Sequence, residues 1–477
     1  MRKFFLIFIV AFCLANISIA AGKIPVTTSS EKARDYYKKG LDYSDKLRAF
    51  DSLEYFKKAI AEDPKMAIAY LNLALSAPSA KEFFENIEKA EALSANVSDG
   101  ERMWIEGVKA GAGGAPAKQA EIYEKLVAAY PEDERAHLLL GTSYFGLQEW
   151  NHAIAEYNKA VQINAKFSPP YNLLGYAYRS VEKYPEAEKA FKTYIELIPD
   201  DPNPYDSYAE LLMKIGRYDE SITQYQKALS VDPHFVNSYL AIASDYNFKG
   251  QYDQARSQVQ KLLDTARDDG ERRAAYFANS VSYASQGNWD KAIAEQQKAY
   301  DLAQKINDSA AMAGDLNNIG TILLKSGRPD EAKETFDRAA KMVTDSKLSD
   351  EVKANNARNH VYNLATVALA KNDLSTAKQF SADFSKQAEA AKNRFQIWQS
   401  HELAGRIAFA EKNYKAAVAH LNQGNLQDPQ NLFRIAQALE ASGDQAKAKA
   451  MYKKVADFNL YNALNYAFVR SDARAKI

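Results

Sequence analysis

At 477 residues the chain exceeds the usual size of one compact domain, and it carries 61 basic and 61 acidic residues, so it is formally neutral. Neutrality excludes general attraction to polyanions, and neither nucleic acid nor an anionic membrane surface is an expected partner. A single cysteine, Cys13, excludes an internal disulfide framework.

The first stretch, residues 1–20, reads as a secretory signal peptide. Arg2 and Lys3 give the charged start, Phe4 to Leu14 is an unbroken apolar run, and Ser18-Ile19-Ala20 offers small residues ahead of Ala21. The run is too short for a comfortable bilayer-spanning helix. The expectation is therefore an exported protein, periplasmic or secreted, with no transmembrane segment after cleavage and no cysteine in the mature chain. Residues 21–31 are polar and rich in Ser and Thr, and are expected to form a flexible leader.

An array of repeats follows, expected over 32–269 and 270–457. Gly40, Tyr43, Phe56, Ala59 and Pro64 mark the first copy. A second helix pair begins at Ala67 and is interrupted by Pro78. A third runs from about Glu101 to Pro131, with Gly107 and Tyr123 in phase and a connector, Gly111 to Pro116, that looks long and loose. From Glu134 four copies keep one phase, 34 residues apart. A small slot holds Gly141, Gly175, Ala209 and Ala243; a second holds Ala153, Ala187, Ser221 and Ala255. The large slot reads Tyr157, Phe191, Tyr225 and Val259, and Pro199 and Pro233 close two copies. Antiparallel helices approach closely only where both carry small side chains, and bulky residues must fill the space between pairs. Ser168 before Pro169-Pro170 and Asn203 before Pro204 are expected helix caps.

Beyond Asp264 the second small slot continues at Ala292, Ala332, Ala377 and Ala417, in steps of 37, 40, 45 and 40. Longer helices account for the extra residues, and the charged run Arg267 to Gly270 separates the two spacings. The last copy shows Gly443, Ala448, Tyr452 and Val455. In residues 458–477, Leu460, Ala463, Leu464, Ala467 and Phe468 make one apolar stripe, expected as a capping helix followed by a frayed tail.

The period and its small–aromatic–small–Pro order resemble the tetratricopeptide repeat family over about Lys32 to Asn459. Tyr171, Tyr205 and Tyr239 stand where that family carries a large residue. The C-terminal copies resemble the extended variant of kinesin-light-chain-like members, and Phe167 to Lys214 is most similar to secreted bacterial proteins built only of such repeats. The resemblance implies an all-α fold: a right-handed α-α superhelix, or solenoid, of about eleven to twelve helix-turn-helix repeats. It also implies a concave groove, lined by the first helix of each repeat, that takes a peptide or protein segment.

On that reading the groove candidates are Asn172, Tyr176 and Arg179, then Asp206 and Glu210, then Asn237, Ser244 and Asn247, and further on Asn317, Thr321, Asn359, Tyr362 and Thr366. Asparagine pairs with a peptide backbone as donor and acceptor, tyrosine adds flat contact area, and Arg179 suits a carboxylate. The plainer reading is that a concave surface facing water is simply polar.

No catalytic or cofactor chemistry is expected. His401-Glu402 opens like a zinc-protease helix, but Gly405 stands where the second histidine belongs. No residues are assigned to a metal, and no phosphate loop or nucleophile elbow occurs. The expected function is a non-enzymatic interaction scaffold that binds a protein or peptide segment in its groove. The alternative is a structural subunit of a bacterial cell-envelope assembly, docked by its convex face or its ends. An enzyme using Arg179, Asp206 and Glu210 is the third reading.

Overall fold

The computed structural model describes residues 22–459 and 461–477; the expected signal peptide, with Cys13, and Leu460 of the apolar stripe lie outside them. Helices dominate, and no strand occurs among the described residues.

The helices form antiparallel pairs in chain order. The first three pairs are α1 (Glu31–Asp45) with α2 (Ala49–Glu62), α3 (Ala67–Leu75) with α4 (Ala80–Leu93), and α5 (Asp99–Ala112) with α6 (Pro116–Ala129). The regular pairs are α7 (Glu134–Gly146) with α8 (Trp150–Ile163), α9 (Pro169–Ser180) with α10 (Tyr184–Leu197), α11 (Asn203–Lys214) with α12 (Tyr218–Val231), and α13 (Val236–Phe248) with α14 (Tyr252–Thr265). Longer helices follow: α15 (Asp269–Ser285) with α16 (Trp289–Lys305), α17 (Ser309–Lys325) with α18 (Pro329–Thr344), and α19 (Asp350–Ala370) with α20 (Leu374–Ala390). The last pairs are α21 (Arg394–Ala410) with α22 (Tyr414–Leu421) and α23 (Pro429–Ala441) with α24 (Gln445–Ala456). Two short helices, α25 (Leu464–Ala467) and α26 (Arg470–Arg474), end the chain. Twelve pairs among the described residues agree with the repeat count expected from the period.

Steric fit sets the pairing. In five of the pairs a glycine of the first helix receives an aromatic ring of the second: Gly40 and Phe56, Gly107 and Tyr123, Gly141 and Tyr157, Gly175 and Phe191, Gly320 and Phe336. A Cβ on Gly175 would lie 2.5 Å from the Phe191 ring, and one on Gly141 would lie 2.6 Å from Tyr157. Both rings are completely buried. The second small slot, Ala153, Ala187, Ala255, Ala292, Ala332, Ala377 and Ala417, is equally sealed. Where Ser221 occupies it, the hydroxyl donates to the Ala209 carbonyl at 2.9 Å, which removes the cost of burying it. The tyrosines at the family's large position are staples: the hydroxyls of Tyr171, Tyr205 and Tyr239 donate to the carbonyls of Ala165, Pro199 and Pro233 at 3.2, 2.9 and 3.0 Å.

The turn inside a pair repeats as strictly as the slots. Gln148, Glu182, Gly216 and Gly250 all adopt left-handed backbone, with φ of 58°, 60°, 83° and 74°. That conformation costs a residue with a Cβ about 1–2 kcal/mol, part of which glycine's greater unfolded freedom takes back. Glu182→Gly, at an exposed position, is therefore expected to stabilise its repeat by about 0.5–1 kcal/mol, read as a higher denaturant midpoint.

Several local expectations are corrected. Ser168 makes no side-chain cap, and Asn203 lies inside α11 with its amide donating to Tyr194 Oη at 2.6 Å. The leader is tied down. Ile24 N donates to Asp133 at 2.7 Å, Thr27 N to Glu101 at 2.9 Å, and the Thr28 hydroxyl to Asp63 at 2.6 Å. The Gly111 to Pro116 connector is a tight turn, because α5 continues to Ala112 and α6 starts at Pro116. No break separates the two spacings: one core cluster joins Val259 and Leu262 to Ala275 and Ala278.

The winding brings early repeats against late ones. Lys81 N donates to Asp308 at 3.1 Å, Asn393 Nδ2 to the Gly114 carbonyl at 2.7 Å, and Gln148 Nε2 to Asn425 at 3.1 Å. Arg394 pairs with Glu149 at 2.6 Å, and the Arg267 guanidinium lies 4.2 Å from the Phe50 ring centroid. Gly114 serves this seam, with φ of 81° and Asn355 where a Cβ would stand.

The C-terminal stretch is not the single capping helix expected of its apolar stripe. Asn462 takes left-handed backbone (φ 39°), and α25 and α26 turn back across the inner face of the superhelix. Leu464, Tyr466, Phe468 and Val469 join one core cluster with Met213, Phe248, Val281 and Ile322. Arg470 and Ala473, expected in a frayed tail, are buried.

Candidate functional site

The inner surface has two stretches with different fates. Over α9, α11 and α13 it is filled from within. Arg179 pairs with Glu210 at 3.1 Å, and the Tyr176 hydroxyl donates to the other Glu210 oxygen at 3.0 Å. The Arg179 guanidinium also lies 4.7 Å from the Tyr176 ring centroid. Asp206 is buried and accepts from Ser238 Oγ at 2.6 Å; burial holds its carboxyl well above the usual range. Asn172 and Asn247 are buried, each with an amide oxygen that has no hydrogen-bond partner.

The chain's own C-terminal segment covers this stretch. Asn459 donates to the Met213 and Lys214 carbonyls at 2.8 and 3.2 Å and accepts from the Tyr218 hydroxyl at 2.9 Å. Asn462 N donates to Ser244 Oγ at 3.2 Å, and the Tyr461 hydroxyl reaches the carbonyl of Asn237, whose side chain is exposed, at 3.5 Å. The Tyr466 ring stacks edgewise on Phe248 at 4.9 Å, and Arg474 donates to the Phe248 carbonyl at 3.2 Å. The Arg179, Asp206 and Glu210 group weighed as a catalytic centre is thus a packed polar network under Tyr461.

Over α17, α19, α21 and α23 the inner surface opens into a cavity of about 670 Å³. Asn317 and Thr321 come from α17, and Asn359, Tyr362, Asn363 and Thr366 from α19. Phe395, Trp398, Glu402 and Arg406 come from α21, Gln430 and Arg434 from α23, and Asn465 and Phe468 from the C-terminal segment close one wall. The amides are linked: Asn363 Nδ2 donates to Asn317 Oδ1 at 3.0 Å, and Gln396 Nε2 donates to Asn359 Oδ1 at 2.7 Å. Tyr362 leans on Phe384 with ring centroids 5.4 Å apart. Burial pushes the Glu402 carboxyl up to about 7 even with Arg434 Nη1 at 3.4 Å. Burial, then the charge of Arg434, pull Arg406 down to about 10.

The candidates read from the sequence thus divide. Asn317, Thr321, Asn359, Tyr362 and Thr366 share this cavity, whereas Asn172, Tyr176, Arg179, Asp206, Glu210, Asn237 and Asn247 belong to the other stretch. Sequence reasoning missed Asn363, Glu402, Arg406 and Arg434. A signal was present, since Asn317/Thr321, Asn359/Asn363, Glu402/Arg406 and Gln430/Arg434 are all spaced i, i+4 on successive first helices. No three His, Cys, Asp or Glu side chains converge as metal ligands among the described residues.

Profiles of the tetratricopeptide repeat match residues 119–169, 168–201, 209–246, 271–345 and 430–457, all within the helical array described above. This is a tetratricopeptide repeat protein. No curated protein matches its sequence. Among solved structures, a tetratricopeptide repeat protein from Parabacteroides merdae is 18% identical, covering 57% of this chain and 94% of its own, with a TM-score of 0.37. Yeast Tom70 is 14% identical, covering 93% and 95%, with a TM-score of 0.41. YrrB, a TPR protein with an unusual peptide-binding site, is 21% identical, covering 38% and 93%, with a TM-score of 0.26. In this tetratricopeptide repeat protein no helix of the described residues is long and apolar enough to cross a membrane.

Proposed function

We propose that this tetratricopeptide repeat protein is a non-enzymatic scaffold that takes an extended protein or peptide segment along the cavity between α17, α19, α21 and α23. One observation carries the reading. The first helices of the later repeats leave a polar, aromatic-edged trough open, while the chain's own C-terminal segment occupies the neighbouring stretch. Asparagines spaced along successive helices suit a peptide main chain, which offers one donor and one acceptor per residue. The repeat array dominates the described chain, and the titratable cluster beside Tyr461 is tied up in its own hydrogen bonds.

The experiment is affinity capture with the wild-type chain and two variants, followed by binding measurements on the partner's purified segment. Asn317→Ala with Asn359→Ala is expected to weaken that segment's binding about tenfold or more, while Lys386→Ala on the outer helix α20 leaves it unchanged. Equal binding by all three chains overturns the assignment. We also propose export, on the pattern of residues 1–20. N-terminal sequencing of protein from the exported fraction is expected to begin near Ala21, and a start at Met1 or Arg2 overturns it.

A further inference from the structure

We propose that Lys214 is a covalent docking site for planar aromatic aldehydes, which its side-chain amine takes up as an imine. The site lies in a second cavity, apart from the one read as a peptide trough, and the inference does not rest on that reading.

This cavity, of about 630 Å³, opens where the turns after α7, α9 and α11 meet the last helix pair and the C-terminal segment. Lys214 is the last residue of α11, and its amine lies 4.1 Å from the Phe458 ring centroid. Its backbone is fixed, since the Lys214 carbonyl accepts from Asn459 Nδ2 at 3.2 Å. Phe145, Trp150, Tyr184 and Tyr218 make the other walls aromatic, and the Tyr218 hydroxyl is occupied by Asn459 at 2.9 Å. Exposed Ile215 and Leu426 add an apolar rim.

Among the described residues no carboxylate forms an ion pair with this amine. Glu210 is taken by Arg179 and Asp457 by Lys453. Glu182 favours the ammonium from its exposed turn, and Arg179 and Lys454 oppose it. The face of Phe458 is a weaker counterpart than a carboxylate. Burial, then the charge of Arg179, pull the amine from its ordinary 10.5 down to about 8. At pH 7.5 about a quarter of it is then uncharged, against about one part in a thousand of an ordinary lysine.

An uncharged primary amine, half-buried among rings, is a nucleophile for a carbonyl carbon. Its lone pair adds to the aldehyde carbon while the C=O π pair moves to oxygen. A proton passes from nitrogen to that oxygen, and water leaves as the C=N bond forms. The step needs no oxidant, reductant or third reactant, and water reverses it. A planar ring on the aldehyde gains stacking or edge contacts with the aromatic walls, which a small aliphatic aldehyde cannot make.

The test treats the full-length chain at pH 7.5 with increasing salicylaldehyde, traps imines with cyanoborohydride and maps the modified lysines by mass spectrometry. Lys214 is expected to be labelled at least about tenfold faster than the other lysines, with a rate that saturates as the aldehyde is raised. Formaldehyde, which has no ring, is expected to label Lys214 without saturating. Labelling of Lys214 no faster than the other lysines overturns the proposal. Selective labelling that never saturates, or that saturates equally with formaldehyde, overturns the aromatic site. Lys214→Arg is expected to abolish the saturable uptake while keeping the wild-type melting temperature. Should that variant not fold, as judged by its helical circular dichroism, the map of the wild-type chain decides alone.

Discussion

A chain that ends at Asp457 is expected to lose on the order of 6–12 kcal/mol of stability, concentrated in the middle repeats and the last helix pair that the segment touches, and not spread evenly. The segment beyond Asp457 carries Leu464, Tyr466, Phe468 and Val469, each between 1% and 6% exposed. Burying one such side chain contributes roughly 1.5–3 kcal/mol, and the sum is an upper value because unfolded chains hide part of their apolar surface. Their removal uncovers Met213 and Phe248 on α11 and α13, and Val281 on α15. It also frees the Met213 and Lys214 carbonyls that Asn459 caps. In a solenoid each repeat is stabilised by its neighbours, so the loss is expected to surface as faster amide exchange in α11 to α15 and in α23 and α24, with α1 to α6 unchanged. Uniform exchange and an unaltered urea midpoint would mean that the segment merely rests on the surface. The magnitude also decides against a loosely held plug: release would expose too much apolar surface to occur readily under native conditions.

The second large effect belongs to Asp245, on α13. It is completely buried, and neither carboxylate oxygen has a hydrogen-bond partner. Lys249, one turn further on, is paired with Asp219 instead. Burial therefore pushes the carboxyl from its ordinary 3.8 up to about 8. A carboxyl raised in the folded state favours folding fully below its unfolded pKa, and that contribution is lost as pH rises through the folded one. The wild-type chain is thus expected to weaken between about pH 4 and pH 8. The full interval is worth on the order of 5 kcal/mol. Glu402, pushed up to about 7, and Asp201 and Asp315, each pushed up to about 6 by burial, add loss of the same sign. Asp245→Asn isolates the term. The variant should match wild type near pH 4 and exceed it by several kcal/mol at pH 9, read from urea midpoints across the range. Parallel curves for the two chains would show that Asp245 meets water or a partner in solution.

Most of the fold was legible because packing within a repeat is local. Gly175 and Phe191 are sixteen residues apart, and their contact follows from helix length and turn length alone. The left-handed turn at Gln148, Glu182, Gly216 and Gly250 follows the same period. What could not be read depends on contacts across hundreds of residues. Nothing around Asn459 announces that it meets Met213, nor that Gly114 serves Asn393 at the seam. The leader looked free because its partners, Asp133, Glu101 and Asp63, lie 109, 74 and 35 residues further along the chain, beyond the reach of local pattern. The candidate site shows the same division. Asn317 and Tyr362 were found by stepping along first helices, and the stepping stopped short of α21 and α23, where spacing becomes irregular. The filling of the Asp206 and Glu210 stretch was invisible because its occupant comes from the far end of the chain.

The most direct test of the account places a photoreactive amino acid at Asn363, inside the cavity, and separately at Lys386, on the exposed outer face of α20, in the chain produced in its native cells. Illumination is expected to give a discrete adduct with a partner protein at Asn363 and none at Lys386. Adducts at Lys386 with none at Asn363 would contradict the account and place the working surface on the convex side.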